Sequence, residues 1–265
     1  MFRELINHIP FGILMILLMS LFVVISYVSA YFSDYIFFHE KDNTHRQLSN
    51  SLMSILTGGF FVLLAFIIIN TWNYLQDAST AVSKEADYLA IIMRDIGAFP
   101  PEIQSKIRDA VGQYTVAVRV DEWAAMRHGE ENPEAWSSLN NLYLTVKNYD
   151  PVTSKEFIFY RLVINNINNV LLSRRDRLNK IDSIIPKSLS YSIFWGSIFL
   201  AFMLGIIRGK DSIIKLSPML LFSALLGFNL ALALSFDYPF SGDIAVSNKI
   251  FYNGVLNEFS DNEHS

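Results

Sequence analysis

Four long stretches without a charged residue constrain this sequence more than any other feature. Crossing a hydrocarbon layer of roughly 30 Å takes about 20 residues of helix. Apolar residues make up 52% of the chain and charged residues only 17%. The rest of the chain is too short to enclose four such stretches as core helices of a soluble protein. They are therefore predicted to be membrane spans, at about residues 11–32, 52–72, 189–207 and 217–236.

The first stretch has a rival interpretation as a cleaved signal peptide, because Val28-Ser29-Ala30 resembles a cleavage site. Its apolar run is too long for that, and Arg3 is its only positive flank. Aromatic residues near the span ends, as at a membrane interface, favour four retained spans. They include Tyr31, Trp72, Tyr191 and Tyr238.

Between the second and third spans the composition changes to that of a soluble helical domain. Apolar residues three and four apart predict that the second span continues into it, namely Leu75, Ala78, Val82, Ala86, Leu89, Met93 and Ile96. We therefore predict an all-α membrane protein, with four transmembrane helices and an α-helical soluble domain inserted between the second and third. The boundaries are 1–72 and 189–236 for the two membrane halves, 73–188 for the domain and 237–265 for a C-terminal tail.

Proline, asparagine and glycine punctuate the inserted domain. Helices are predicted to begin at Pro101, at Asn132-Pro133 and at Asp150-Pro151, and one to end at His128-Gly129. The helix from Pro101 has an apolar face that drifts before it reaches Trp123 and Met126. Side chains predicted to point inward from the next two helices are Trp136, Leu139, Tyr143, Val146, Phe157, Ile164, Ile167, Leu171 and Leu178.

The motifs of common enzymes and cofactor sites are missing. The chain has no cysteine, no phosphate-binding loop, no dinucleotide fingerprint and no nucleophile elbow. A net charge of -4 without a basic patch argues against a nucleic-acid partner. His39, Glu40, Asp42 and His45 share a loop that suits solvated polar residues better than a metal site. We expect neither an enzyme nor a cofactor.

The spans carry no ionisable residue, whereas proton-coupled carriers keep one as a relay. A passive pathway or a structural bundle fits better. In the second span, Gly58-Gly59 predicts either a close helix contact or a pore wall. The candidates for lining a pore are Gly59, Phe60, Leu63, Phe66, Ile67 and Asn70.

Three acidic patches stand in the polar segments: Glu85 with Asp87, Asp121 with Glu122, and Asp237 with Asp243. In the last one, carboxylates flank a proline and a glycine at the end of a span. Such a turn offers oxygen ligands to Ca²⁺, with Asp237 and Asp243 as the candidates. The alternative is a docking segment whose acids pair with arginines, namely Arg174, Arg175 or Arg177.

The order of these motifs resembles the bacterial bestrophin-like membrane family, from about residue 50 to 256. The positions that carry the resemblance are Trp72, Glu85, Glu122, Trp123, Arg175, Arg177, Asp237, Pro239, Phe240, Gly242 and Asp243. The resemblance implies a distant likeness to bestrophin anion channels, which are pentamers with four spans per subunit. Their second span lines an apolar neck, and a Pro-Phe-Gly segment with acids forms part of a Ca²⁺ clasp. Here only Asp237 and Asp243 remain of those acids, and the proline of the neck is absent.

Parity places both termini and the inserted domain on one side of the membrane. Counts of Lys and Arg do not decide which side, because short segments alone reverse the preference of the whole chain. The resemblance implies a cytoplasmic domain with cytoplasmic termini, in the inner membrane of a bacterium.

The leading functional hypothesis is a homo-oligomeric, bestrophin-like anion channel whose second span lines the pore. The alternative is a non-conducting scaffold whose helical domain binds a cytoplasmic partner. An enzyme has least support, and would need Glu85, Glu122 and Asp243 to converge.

Overall fold

The computed structural model describes residues 2–36, 43–208 and 213–259. Helices are the only regular elements of these ranges, which confirms the all-α prediction. The α-helices are α1 Phe2–His8, α2 Phe11–Ile36, α3 Asn43–Asp95, α4 Pro101–Ala117, α5 Trp123–His128, α6 Pro133–Lys147, α7 Ser154–Leu178, α8 Lys187–Arg208 and α9 Ile213–Phe236. A π-helical turn, Val118–Glu122, joins α4 to α5, and 3-10 turns follow α3 and end the described chain.

Four helices are long and apolar enough to cross a membrane, as predicted. The qualifying segments are Phe11–Ser33, Ser51–Ala98, Lys187–Ile207 and Leu216–Phe236. All but the last turn of the second lies in α3, a single helix of 53 residues that runs from the apolar span into the polar segment. The prediction that the second span continues as one helix is therefore confirmed.

Packing divides the chain into two units, each described here by itself. The membrane unit comprises Met1–Tyr74, Ser183–Asp237 and Gly242–Ile244. The helical domain comprises Leu75–Asp182 and Tyr238–Ser241, together with the C-terminal segment from Ala245. Helix α3 contributes its first part to the membrane unit and its second part to the helical domain.

In the membrane unit, α2 packs against both α8 and α9. Two glycines permit this close approach: a Cβ on Gly205 would lie 2.3 Å from the carbonyl oxygen of Ser26, and one on Gly227 would lie 2.6 Å from that of Leu18. Small residues play this part in many membrane bundles. Among the described residues, Gly58-Gly59 does not make the helix contact considered for it, since a Cβ on either glycine would meet nothing within 4 Å.

A hydrogen-bonded serine adds polar contacts to the same bundle. The hydroxyl of Ser26 lies 2.9 Å from the carbonyl oxygen of Ala201 in α8, to which it donates, and 2.6 Å from the hydroxyl of Ser223 in α9. In hydrocarbon such groups have no water to bond, so they are satisfied inside the protein.

The helical domain has an apolar core that includes Leu89, Ile107, Val111, Leu142 and Val163. Predicted helix boundaries are confirmed at Pro101, at Asn132, whose side chain accepts a hydrogen bond from the N–H of Glu134, and at Gly129, which is left-handed at φ +88°. The π-helical turn explains the drift of the apolar face after α4, because a π turn holds one more residue than an α turn.

Three expectations for the domain were wrong. Helix α7 begins at Ser154 with Thr153 as its cap, not at Asp150-Pro151, since the Thr153 hydroxyl is free to accept the N–H of Glu156. Trp136 and Phe157, expected inward, are about half exposed in the single chain. Both sit on the outer sides of their helices, where an apolar pattern alone does not separate core from contact surface.

Candidate functional site

Four of the six residues predicted to line a pore share one exposed face of α3. Leu63 is 42% exposed and Phe66 63%, and Gly59 and Asn70 are exposed as well. Successive members are separated by four, three and four residues, which places them above one another on a helix. The structure therefore brings these four together.

The other two predicted pore residues pack within the chain. Ile67 is only 7% exposed. Phe60 is half-buried, and its ring lies over Gly196 of α8, 2.9 Å from the position of a Cβ there.

The exposed face continues past the span with polar side chains. Its further members are Asn73, Asp77, Thr80, Lys84 and Asp87, again three or four residues apart. We call the whole series from Gly59 to Asp87 the α3 strip. It repeats every 3.5 residues on average, the period of helices that wind around one another. The sequence analysis did not predict the polar half of the strip, although the spacing of three and four residues continues from Asn70 to Asp87 in the sequence.

Behind this face, the helical domain buries a network of charged side chains. Arg177 of α7 donates to Glu85 of α3 through Nε (2.7 Å) and Nη2 (3.0 Å). Its Nη2 also lies 2.5 Å from Oε2 of Glu122, and Arg174 donates to the other oxygen of Glu122. All four side chains are at least 95% buried. Two carboxylates and two guanidiniums balance in charge, as buried ions must.

Uncharged side chains complete the network. The hydroxyl of Tyr114 donates to Oε1 of Glu85 at 2.6 Å, and the ring of Trp123 lies 5.7 Å from the Arg177 guanidinium. Burial, followed by the charge of Glu85, raises the pKa of Tyr114 well above its usual value. Burial alone would lower the pKa of Arg177, but Glu85 and Glu122 outweigh it and hold this pKa above its ordinary value.

The network joins four of the resemblance positions, namely Glu85, Glu122, Trp123 and Arg177. A fifth resemblance position, Arg175, is exposed, and it is the neighbouring Arg174 that joins the network. Helical geometry explains the difference, because residues 174 and 177 share a face and residue 175 does not. Glu85 and Glu122 thus converge on an arginine in the interior and not on an open cleft.

The tail motif after α9 is divided between the two units. In the membrane unit, Asp237 accepts hydrogen bonds from the Ser183 hydroxyl (2.5 Å) and the Ile185 N–H (3.0 Å). Burial raises the pKa of Asp237, and these hydrogen bonds act in the opposite direction. Asp243 accepts the N–H of Phe11, at the start of α2, at 3.0 Å. A carboxylate at this position interacts favourably with the positive end of the helix dipole.

The rest of the motif shapes the backbone. Gly242 is left-handed at φ +78°, and its N–H donates to Oδ1 of Asn7 at 3.0 Å. In the helical domain, the carbonyl of Pro239 accepts the N–H of Val246 at 2.8 Å. Phe240 is buried with its ring edge-on to Trp123 at 5.7 Å. Trp72, the first motif position, lies edge-on to Phe236 in the membrane unit.

The two acids considered for Ca²⁺, Asp237 and Asp243, are both held by hydrogen-bond donors of the membrane unit. Their oxygens accept hydrogen bonds from N–H and O–H donors, whereas Ca²⁺ takes six to eight oxygen ligands. Within the described ranges, no three acidic or histidine side chains group around a common point. Two of the three arginines offered as alternative partners bind elsewhere, Arg174 to Glu122 and Arg177 to Glu85 and Glu122, and the third, Arg175, is exposed. The loop of His39, Glu40 and Asp42 and the side chain of His45 lie outside the described residues.

Comparison with known proteins places this geometry in a family. Two variants of a bacterial bestrophin homologue from Klebsiella pneumoniae align with 92% of this chain and with 96% and 94% of their own, at TM-scores of 0.66 and 0.64 and identities of 13% and 12%. A third solved structure, of a membrane protein, aligns with the same share of this chain and 94% of its own at a TM-score of 0.62 and 13% identity. These TM-scores establish a common fold, and at identities this low the comparison shows the fold alone.

No curated protein matches the sequence. The sequence does match the bestrophin-like domain over residues 20–251, which is most of its length. The resemblance inferred from the motif order is thereby confirmed. This chain is a membrane protein of the bestrophin-like family.

Proposed function

We propose that the chain assembles into a homo-oligomeric channel for small anions, with α3 lining the conduit. The observation that carries this proposal is the α3 strip. It leaves one face of a membrane-spanning helix without a partner in its own subunit, and that face changes from apolar to polar along its length. Within the span the strip is apolar as far as Asn70, and its other polar members follow beyond the span.

The apolar part of the strip supplies a constriction. Leu63 and Phe66 lie one turn apart and are exposed. In a ring of subunits, their side chains form two stacked apolar rings, which control passage by excluding water when the neck is narrow. Asn70, one turn further, supplies an amide at the mouth of that neck.

Anions are favoured by the character of the neck. Its members Gly59, Leu63, Phe66 and Asn70 include no carboxylate, and the edge of a phenylalanine ring carries partial positive charge. The amide N–H groups of Asn70 are further donors. The polar part of the strip carries charges of both signs, with Lys84 between Asp77 and Asp87. It therefore offers no strong electrostatic barrier to anions or to cations.

An exposed apolar face on α7 supports assembly into an oligomer. Phe157, Ile158, Leu162 and Leu172 are each more than 40% exposed, on a helix of the polar domain. Exposed apolar groups of this size mark interaction surfaces. We assign this α7 face to the neighbouring copy, in a pentamer by analogy with bestrophins.

The same α7 face favours a second candidate function, a scaffold that binds a cytoplasmic partner without conducting. The two functions differ in the mass of the purified protein. A discrete oligomer near five subunits, corrected for bound detergent, supports the channel. A monomer would rule out a conduit lined by α3 and assign the α7 face to another protein.

Recording across lipid bilayers then tests conduction. In a chloride gradient, the reversal potential is expected near the chloride equilibrium value, and Phe66→Ala is expected to raise the current severalfold. Ile91→Ala, at a half-buried position of α3 beyond the strip, is the control. An oligomer that gives no current above empty bilayers would refute the channel.

The proposed orientation puts the helical domain and both termini in the cytoplasm of a bacterium, in its inner membrane. The absence of cysteine makes a direct test available. Val152 is 89% exposed in the helical domain, so Val152→Cys creates a single accessible thiol. A membrane-impermeant maleimide should label it only after the inner membrane is permeabilised. Labelling of intact spheroplasts would show that the helical domain lies on the outer side of the inner membrane and would overturn this orientation.

A further inference from the structure

A cavity of about 550 Å³ lies inside the membrane unit between α3, α8 and α9. Its volume falls within the roughly 300–1,000 Å³ typical of small-molecule sites. Most of its wall is apolar, with Met53 and Phe61 from α3, Leu204 from α8, and Met219 and Phe222 from α9. These residues lie near the start of the second and fourth spans and the end of the third, and so at one end of the bundle.

One polar group in the wall has no partner among the described residues. The side chain of Thr57 is 6% exposed and lines the cavity, and its Oγ1 makes no hydrogen bond there. Thr71, on the same helix, instead donates to the carbonyl of Ile67 at 3.0 Å, and Ser197 and Ser223 bond to their own helices in the same way. Burying a hydroxyl in hydrocarbon without an acceptor is costly. The acceptor for Thr57 therefore lies beyond the described residues.

We propose that the cavity holds an acyl chain of a membrane phospholipid, whose ester carbonyl accepts the hydrogen bond of Thr57. Thr57 lies about 8 Å along the helix from the first residue of the predicted span, at a rise of about 1.5 Å per residue. That depth is in the outer third of the span, within reach of the ester groups at the boundary of the hydrocarbon. The apolar wall suits the acyl chain, and the bilayer supplies this ligand at high concentration.

We assign the cavity to a lipid and not to a side chain of a second copy, because its rim is exposed and its wall is mostly apolar. Ser54 and Gly58 at the rim are exposed, and a Cβ on Gly58 would meet nothing within 4 Å. A space this large needs a long flexible chain to fill it. Gly58→Leu is therefore expected to enter the cavity without displacing backbone.

Photochemical labelling tests the proposal. The full chain is reconstituted into phosphatidylcholine vesicles that contain an analogue with a diazirine in one acyl chain, irradiated and mapped by peptide mass spectrometry. Labels are expected in segments 53–61 and 218–222, at least tenfold above other span segments. Gly58→Leu should reduce them to background. Gly12→Leu, the same change at an exposed position of α2 that also has open space, should leave them unchanged.

A second pair of variants keeps the test independent of any misfolding by Gly58→Leu. Thr57→Val removes the hydroxyl at nearly constant volume and should reduce labelling severalfold, whereas Thr71→Val should not. Equal labelling of all spans, or labelling that Gly58→Leu and Thr57→Val leave intact, overturns the proposal. None of these readouts depends on conduction.

Discussion

The guanidinium of Arg177 holds the carboxylate of Glu85 through two hydrogen bonds, although 92 residues separate them in the chain. Glu85 lies on α3, whose exposed face carries the strip, and Arg177 lies on α7, whose outer side carries the exposed apolar face. The pair therefore fixes the two helices of the domain that we assign to the conduit and to subunit contacts. Its first role is positional, since neither side chain touches solvent.

Removing Arg177 should unfold the helical domain at lower temperature. Arg177→Met leaves Glu85 buried without a counter-ion and Glu122 with Arg174 alone, and losing one partner of a buried pair costs about 3–5 kcal/mol. Thermal melting in detergent, followed by tryptophan fluorescence, measures the loss. Arg175→Met, at the exposed neighbour, should change stability by less than about 0.5 kcal/mol. Equal effects of the two substitutions would contradict the network.

Gly242 should tolerate alanine less well than Gly254 does. Both are left-handed, at φ +78° and +61°, so alanine at either costs about 1–2 kcal/mol of backbone strain. At Gly242 a Cβ would also lie 2.3 Å from Cγ2 of Ile6, whereas at Gly254 it meets nothing within 4 Å. Overpacking adds about 1–3 kcal/mol. A larger loss of stability for Gly254→Ala than for Gly242→Ala would refute this packing.

Ile67 and Phe66 are adjacent but should respond to alanine in opposite ways. Ile67→Ala removes a buried side chain and should destabilise the protein by about 2–5 kcal/mol. Phe66→Ala removes an exposed one, so the monomer fold should keep its stability while the proposed conduit widens. The two measurements are the melting temperature and the single-channel current. A destabilised Phe66→Ala with unchanged current would place Phe66 in packing and not in a pore.

The start of α7 should weaken at both extremes of pH. Hydrogen bonds from the Tyr149 hydroxyl and the Val152 N–H lower the pKa of Glu156, and the bond to Glu156 raises the pKa of Tyr149 to about 12. Because its pKa is lowered, the Glu156 carboxylate stabilises the fold above its usual pKa of 4.5 and loses this effect as the pH falls. Because the pKa of the Tyr149 hydroxyl is raised, this group stabilises the fold below pH 10 and loses this effect as the pH rises toward about 12.

Melting curves across pH test this cap. The difference in melting temperature between wild type and Glu156→Gln should be constant near neutral pH and shrink below 4.5. Tyr149→Phe should remove the alkaline component alone. Thr153→Ala, which removes the cap of α7, should cost about 1 kcal/mol at neutral pH. A difference for Glu156→Gln that persists in acid would show that its charge is not what stabilises the helix.

The sequence by itself determined the four spans, the unbroken α3 and most helix ends. Span length follows from the thickness of hydrocarbon, and proline, Asn132 and Gly129 act through their own backbone chemistry, so neither needs a neighbour. The sequence could not show which face of α3 packs within the subunit. In lipid both faces of a span are apolar, so the exposed Leu63 and the buried Ile67 are the same type of residue. Only the tertiary structure decided that, since packing against α8 and α9 sets which side is buried.

The buried network divides in the same way. The sequence singled out Glu85, Glu122 and the arginines of α7, but it offered Arg174, Arg175 and Arg177 alike and did not pair them with Glu85 and Glu122, as the structure does. It also kept 237–243 as one motif, whereas its residues bond within two separate units. Which charges meet depends on where helices far apart in the chain come together, and the energy of burying an ion is settled only by the partner it finds there.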